Sequence, residues 1–592
     1  MITYLFRLSF LGSLLVILSA GAVQSQDRYG DRKIDNLHQK IDRAYQKGTL
    51  TLDQKVLYKF FPAEAKGKLP GGDSINYNKP LKCGTPATSD FHRHKSDLSA
   101  STVNRIQSAI STPGMQASET YQSPSGNFSI HYETSGSHAV PPEDSDSDGI
   151  PDYVEEVAAA ADSSYRHEVQ RLGYTDPIIS STYDIEIVNM QDIYGQDFYG
   201  VTTVQNQSTF IRIENDFSEG FPENDDPEGN QIGAIKVTVA HEFKHAVQYE
   251  ANEWQGETGN WLEMDATLME EVVYDNVNDY YNYLRSSESI FSAPGTSFLP
   301  GTYYHVTWAL YFEQRYGSQF WVDVWNIIKD NPYISMIEAI TRQLGGSETF
   351  NQSFIESQLW HYASGPANAS SNYGFQEASK YPAPPVQTEK GFYNKNFTIP
   401  RSAPANALNI FSAQYYEIPI TNNLEGNVSL DITSQTANRG IGLIAYYKDG
   451  RVESSIILPS QNQASLQTSP LNWNNITQLG LILTNSSTSP SGAGQPMIVG
   501  VGSDAFNSTL SQNYPNPFNP QTRIRFTLEQ ASQVELKVYN SAGRLVQTLV
   551  DGELSAGLHE PVFNGNGLAS GVYFYQLKTD QQTFVKKMTL VK

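Results

Sequence analysis

Two histidines separated by three residues, with a glutamate directly after the first, constrain this chain more than any other stretch: His241-Glu242-Phe243-Lys244-His245. On an α-helix, positions i and i+4 lie one turn apart on the same face. Both imidazoles can then reach one metal ion while the Glu242 carboxylate stands beside it. The motif demands a helix, and its chemistry points to zinc and hydrolysis. Ile232, Ile235, Val239 and Phe243 recur at helical spacing and predict one buried side. Upstream, residues 209–216 alternate as a half-exposed strand, with Phe210 and Arg212 on one face and Ile211 and Ile213 on the other. Such a strand can offer its edge to an extended peptide, or it can simply pack within a sheet.

Catalytic zinc takes three protein ligands and keeps a fourth position for water. The metzincin arrangement, with glycine at position 248 and histidine at 251, is excluded by Gln248 and Ala251. Trp261-Leu262-Glu263-Met264-Asp265-Ala266-Thr267-Leu268-Met269-Glu270-Glu271 predicts a second helix. It resembles the W-x-x-E-x-x-A helix from which gluzincin peptidases supply a glutamate ligand, with Trp and Glu one residue closer together here. That resemblance implies Glu263 as third ligand. Glu270 is the alternative, because i and i+7 share nearly one helical face, and Glu271 is the last choice. Zinc on two neutral imidazoles and a carboxylate lowers the pKa of its water and polarises a carbonyl, so Glu242 is the expected general base. An oxyanion donor is expected from Tyr303-Tyr304-His305: Tyr304 first, then His305 and Tyr303. In a chain with 35 Tyr, an aromatic packing patch is the competing reading.

A second motif precedes the first. Asp144-Ser145-Asp146-Ser147-Asp148-Gly149-Ile150-Pro151-Asp152-Tyr153-Val154-Glu155 fits a twelve-position calcium loop. It has carboxylates at Asp144, Asp146, Asp148, Asp152 and Glu155, glycine at the sixth position and the Ile150 carbonyl at the seventh. Hard oxygen donors at these spacings suit Ca2+ better than they suit a solvated acidic run. Residues 153–172 then predict one helix capped by the loop. Pro141-Pro142 stands where a sensor pair needs a preceding helix, so a structural Ca2+ is expected, stabilising the folded domain by mass action.

Residues 1–25 carry Arg7, an apolar run over 8–18 and small residues near Ala22 and Ser25, the pattern of a secretory signal peptide. No other stretch nears the ~20 apolar residues that a membrane helix needs, so no transmembrane span is expected in the mature chain. A formal net charge of −23 argues against nucleic acid and anionic membrane surfaces as partners. A single Cys excludes an internal disulfide framework. Cys83 lies in Pro80-Leu81-Lys82-Cys83-Gly84-Thr85-Pro86, which resembles the cysteine-switch segment of matrix metalloproteases. The resemblance implies a thiolate on zinc, in place of water, in a latent form. A buried inert cysteine is the alternative.

The length of 592 residues allows three to five domains. After the signal peptide, residues 26–125 read as a pro-segment, helical at 35–45 and 53–61 and then rich in Pro, Gly and Ser. Residues 126–390 read as an α+β zincin-like catalytic domain with the calcium loop. Residues 391–505 carry runs such as Val428-Ser429-Leu430-Asp431-Ile432 and predict a β-sandwich, and 511–592 predict an Ig-like β-sandwich. The last segment opens with Asn513-Tyr514-Pro515-Asn516-Pro517-Phe518-Asn519-Pro520 and ends on runs such as Gly571-Val572-Tyr573-Phe574-Tyr575. It resembles the type A sorting domain of the type IX secretion system, which implies that secretion machinery as partner and export across the outer membrane, to the medium or the cell surface. Residues 80–380 resemble secreted bacterial metallopeptidases of gluzincin type. The expectation is a multi-domain secreted zinc endopeptidase acting on protein or peptide substrates. The alternatives are an inactive surface adhesin or glycan-binding protein on the same scaffold, and a zinc hydrolase of a non-peptide bond.

Overall fold

Short apolar stretches from both sides of residue 125 assemble into one mixed sheet. A computed structural model describes residues 37–69, 80–111, 119–179, 182–218, 220–388, 396–399, 408–418, 420, 426–434, 438–459, 463–494, 497–503, 508–528, 532–554 and 557–592. The strands of this sheet are β1 (Leu81–Cys83), β2 (Glu119–Gln122), β3 (Phe128–Tyr132), β4 (Tyr183–Val188), β5 (Phe198–Gln205) and β6 (Ser208–Glu214), in the order β1-β5-β6-β4-β3-β2. β4 runs parallel to β3 and β6, while β5 is antiparallel to β6. β1 adds parallel to β5, with Leu81 opposite Phe198 and Cys83 opposite Gly200. Two expectations change here. The strand read at 209–216 is β6, which is paired on both sides and offers no edge to a peptide. The boundary at 125 falls between β2 and β3, an antiparallel pair, so the N-terminal segment supplies both outer strands of the sheet.

The alternation along β6 sorts the two faces. Ile211 and Ile213 join Phe128 and Ile185 in a core with the helix Asn230–Asn252, whose Ile235, Val239 and Phe243 are wholly buried. The Phe243 ring meets Phe128, Tyr165 and Tyr183 at centroid distances of 5.7, 6.2 and 6.1 Å. Arg212 points to the other face. There it donates to Glu186 at 2.6 Å and to the carbonyls of Ala109 and Ile110 at 3.2 and 2.9 Å, which end the N-terminal helix Ala100–Ser111. These bonds tie the N-terminal segment to the sheet, because removing either partner strands a buried charge or carbonyl. Val56, Phe60, Ala87 and Phe91 of that segment pack on Phe198 and Val201 of β5.

The helix after the acidic loop runs Asp152–Tyr165 and widens into a π-helical turn over Arg166–Leu172, in place of the single α-helix expected. Past the helix Ser347–Tyr362, two sheets enclose Leu430, Ile432, Val499, Leu443 and Leu481. The alternate residues Ile444 and Ile482 face out onto Ile355, Leu359 and Tyr362 of that helix. In the C-terminal region, strands Ser532–Asn540 and Gly571–Lys578 centre a four-stranded sheet over Phe526, Leu536, Val538, Tyr575 and Leu577. The chain is thus multi-domain and mixed α and β, with a β-rich C-terminal region. Among the described residues no helix is long and apolar enough to cross a membrane. Residues 1–25, the expected signal peptide, lie outside the described residues.

Candidate metal centre

His241 and His245 stand one turn apart on the buried helix Asn230–Asn252, their ring centroids 4.8 Å apart. The bonds on their Nδ1 sides decide which lone pairs are left over. Gln248 donates through Nε2 to Leu262 O at 3.1 Å and Asp265 Oδ2 at 2.9 Å, so its Oε1 is the acceptor for His245 Nδ1–H at 2.8 Å. Glu270 Oε1 accepts from His241 Nδ1–H at 2.7 Å. Both rings are therefore Nδ1–H tautomers, each with an Nε2 lone pair. Those two Nε2 atoms face Glu263 in the first turn of the helix Leu262–Val273: His241 Nε2 is 3.5 Å from Oε2 and His245 Nε2 is 3.1 Å from Oε1.

His241 Nε2 and both Glu263 oxygens are buried without a hydrogen-bond partner among the described residues. Acceptors converging in a dry site are costly unless a cation or a proton stands between them. Burial opposes a charged His241, yet Glu263 and Glu270 outweigh it and push that imidazole up to about 10. Burial would likewise raise Glu263, but the two imidazoles hold its carboxyl well below the usual range. Cys83, His241, Glu242 and His245 each place one ligand atom within 4.8 Å of the others. Cys83 Sγ lies 3.4 Å from His245 Nε2 and accepts from Thr85 N at 3.2 Å. Burial, then the charges of Glu242 and Glu263, push its thiol well up.

Glu242 is held by hydroxyls from two directions. Its Oε2 accepts from Thr202 Oγ1 of β5 at 2.8 Å and from Thr85 Oγ1 of the N-terminal segment at 2.9 Å. It fits against β5 only because residue 200 is glycine: a Cβ there would lie 2.7 Å from Glu242 Cγ and 2.8 Å from Thr238 Cγ2.

The remaining candidates fall at different distances from this centre. Glu270 lies behind His241 rather than at Nε2, and its second oxygen accepts from Lys82 Nζ at 2.9 Å. Glu271 feels Glu377 and Asp275 instead, and burial first, then those charges, raise its carboxyl to about 9. Tyr304 is wholly buried, its ring centroid 6.2 Å from Tyr283 and 4.5 Å from Tyr303. Tyr303 feels the charges of the centre. Its hydroxyl is raised by burial, lowered by a hydrogen bond with Tyr304, and raised again by Glu263, Glu288 and Cys83. His305 has both nitrogens engaged, Nδ1 accepting from Thr302 N at 3.1 Å and Nε2 donating to Glu288 O at 3.0 Å. Burial lowers its pKa to about 4, and neither nitrogen is left for an oxyanion. Sequence reasoning missed Lys82, Thr85, Gly200, Thr202 and Asp265, and took Gln248 only as grounds for excluding a class. The position of Gln248 one turn past His245 was the signal available for it.

In the acidic loop, Asp144, Asp146 and Asp148 bring one oxygen each within 4.8 Å of the others. Asp144 accepts from the backbone of Ser147, Asp148 and Gly149 at 2.7, 3.2 and 3.0 Å, and Gly149 has φ 95°, where a side chain would be strained. Asp148 accepts from Ile150 N at 2.8 Å, and Asp152 turns back to Ser145 N and Oγ at 2.9 and 2.6 Å. Glu155 is raised by burial and then by Asp148, Asp146, Asp152 and Asp144, so it shares the field of the loop.

A model of the secretion system C-terminal sorting domain matches residues 512–591. The C-terminal segment is a type IX secretion sorting domain. It directs the chain to the secreted or cell-surface fraction and implies contact with the type IX machinery. No curated protein sequence matches the chain. Partial likenesses among solved structures include PorZ, a surface component of the type-IX secretion system of Porphyromonas gingivalis, at 18% identity over 19% of this chain and 15% of that one, with a TM-score of 0.12. Another is a β-glucuronidase of Faecalibacterium prausnitzii at 9% identity over 34% of this chain and 39% of that one, with a TM-score of 0.17. A DUF4785 family protein from Legionella pneumophila is similar at 10% identity over 35% of this chain and 68% of that one, with a TM-score of 0.12. The chain thus spans well under half of the first two.

Proposed function

We propose that this chain is a secreted zinc-dependent endopeptidase made as a latent precursor, with His241, His245 and Glu263 as zinc ligands and Glu242 as general base. The observation that carries the reading is the buried meeting of His241 Nε2, His245 Nε2 and both Glu263 oxygens, with His241 Nε2 and the two oxygens lacking a hydrogen-bond partner among the described residues. Two imidazole nitrogens and a carboxylate are the donor set of a zincin-type site, and a HExxH helix beneath a mixed sheet is the scaffold such a site needs. When bound, zinc supplies a Lewis acid and lowers the pKa of a water.

The chain's own residues supply the rest. Glu242, oriented by Thr202, stands beside the ligands to take a proton from water and return it to the leaving amine. Gln248 and Glu270 accept from the Nδ1 sides, fix the ring orientations and turn both Nε2 atoms toward Glu263. The Tyr303–Tyr304 pair, ring centroids 4.5 Å apart, is the proposed source of a hydroxyl for the developing oxyanion, Tyr304 first. β1 occupies the edge of β5, where an extended substrate would add as a strand, and from there Cys83 reaches His245 and Thr85 reaches Glu242. That arrangement makes the N-terminal segment an inhibitor in place. The acidic loop, where Asp144, Asp146 and Asp148 converge ahead of Asp152 and Glu155 in the first turn of the next helix, is read as a structural Ca2+ site.

The processed protein is expected to cleave casein, and Glu242→Gln to lower kcat by about a hundredfold to ten-thousandfold. Equal cleavage by the two proteins would overturn the reading. Hydrolysis confined to non-peptide substrates would move it to another class of zinc hydrolase.

A further inference from the structure

The side chain one place before Cys83 enters a hollow of its own. Lys82 Nζ, 1% exposed, lies 2.6 Å from Asp279 Oδ2 and 2.9 Å from Glu270 Oε2, carboxylates that are 0% and 2% exposed. The ammonium sits over the rings of Tyr199 and Tyr283, 4.5 and 5.7 Å from their centroids, and Tyr283 OH donates to Asp279 Oδ2 at 3.3 Å. These four walls all come from residues 199–283, and the N-terminal segment contributes the cation that fills them. The hollow adjoins the metal centre, because the other oxygen of Glu270 takes His241 Nδ1–H.

We propose that this hollow is the specificity pocket of the active enzyme and that it takes a lysine side chain of the substrate, at the strand position next to the scissile bond. The inference rests on the endopeptidase reading and names its substrate class. β1 lies on the open edge of β5, so a peptide replacing it there sets one residue at the ligands and its neighbour in the hollow. Once the N-terminal segment leaves, Asp279 Oδ2 and Glu270 Oε2 lose the Lys82 ammonium that pairs them, and two adjacent carboxylates without that cation are unfavourable. A substrate ammonium restores both ion pairs and the aromatic contacts, whereas a neutral side chain restores neither. Lysine fits better than arginine because both carboxylates converge on one nitrogen, a point charge between two rings.

Two measurements on the processed protein test this, one needing turnover and one not. Against a peptide library, cleaved peptides are expected to share lysine at one fixed position beside the cut, and replacing it by norleucine to lower kcat/KM at least tenfold. In processed Glu242→Gln protein, the peptide Pro-Leu-Lys-Cys-Gly-Thr is expected to bind at least tenfold more tightly, by calorimetry, than its norleucine analogue. Asp279→Asn is expected to shrink both ratios to threefold or less. Cleavage without lysine preference, equal binding of the two peptides, or ratios unchanged in Asp279→Asn overturns the pocket and leaves the peptidase standing. Lysine-dependent binding by a protein that cleaves nothing sinks the peptidase and leaves the pocket standing.

Discussion

Gln248 stands where a metzincin would have glycine, and in this chain it holds His245 Nδ1 and passes the connection on to Asp265, which also accepts from Trp325 Nε1 at 2.7 Å. A residue that excludes one ligand set thereby orients a histidine of the proposed one. Gly200 is as specific: Gly200→Ala is expected to cost about 1–3 kcal/mol of stability by overpacking and to displace Glu242. Urea unfolding and casein turnover check this, and an unchanged midpoint with full activity would contradict the close approach. Cys83→Ser is expected to raise casein cleavage by the unprocessed chain at least tenfold, by removing the sulfur from His245. An inert Cys83→Ser precursor contradicts thiol latency. The helix residues of the centre were legible in the sequence because a helix converts spacing into direction: His241 and His245 at i and i+4, and Glu263 in the first turn of the next helix. Thr85, Gly200 and Thr202 were not, because strand pairing brings them to Glu242 from 157 and about 40 positions away and leaves no local period.

Among the elements, β1 matters most for the size of its role, since three residues close the edge of β5 and deliver Lys82 and Cys83. Its shortness hid it, and so the boundary at 125 divided a sheet that the N-terminal segment helps to build. The long amphipathic elements fared better: the helices read at 35–45 and 53–61 occur as Leu37–Gln46 and Leu52–Phe60. The acidic loop precedes the helix Asp152–Tyr165, which carries Val154, Val157 and Ala161 into the core beneath the motif helix. Calcium at a hundredfold excess over Kd adds about 2.7 kcal/mol. With Tm moving about 2–4 °C per kcal/mol in a domain of this size, the expected rise is roughly 5–10 °C. Calorimetry with and without Ca2+ checks it, with Asp146→Asn and Asp148→Asn expected to abolish the increment. A Tm indifferent to Ca2+ contradicts the site.

At the scale of the whole molecule, export and the proposed chemistry fall to different segments. The sorting domain at 512–591 has a core of its own around Leu536, Val538 and Tyr575, separate from the core around the motif helix. Deletion of residues 508–592 is expected to leave the protein inside the cell envelope with its casein activity intact after processing. Unchanged appearance in the medium or on the surface would contradict the role of that segment. The central claim is that His241, His245 and Glu263 hold one zinc, with Glu270 behind them. Zinc analysis of the purified chain tests it most directly. One zinc per chain is predicted, lost in Glu263→Ala and bound about 10–100-fold more weakly in Glu270→Ala, whereas a chain without zinc, or Glu263→Ala with its full complement, would contradict the account.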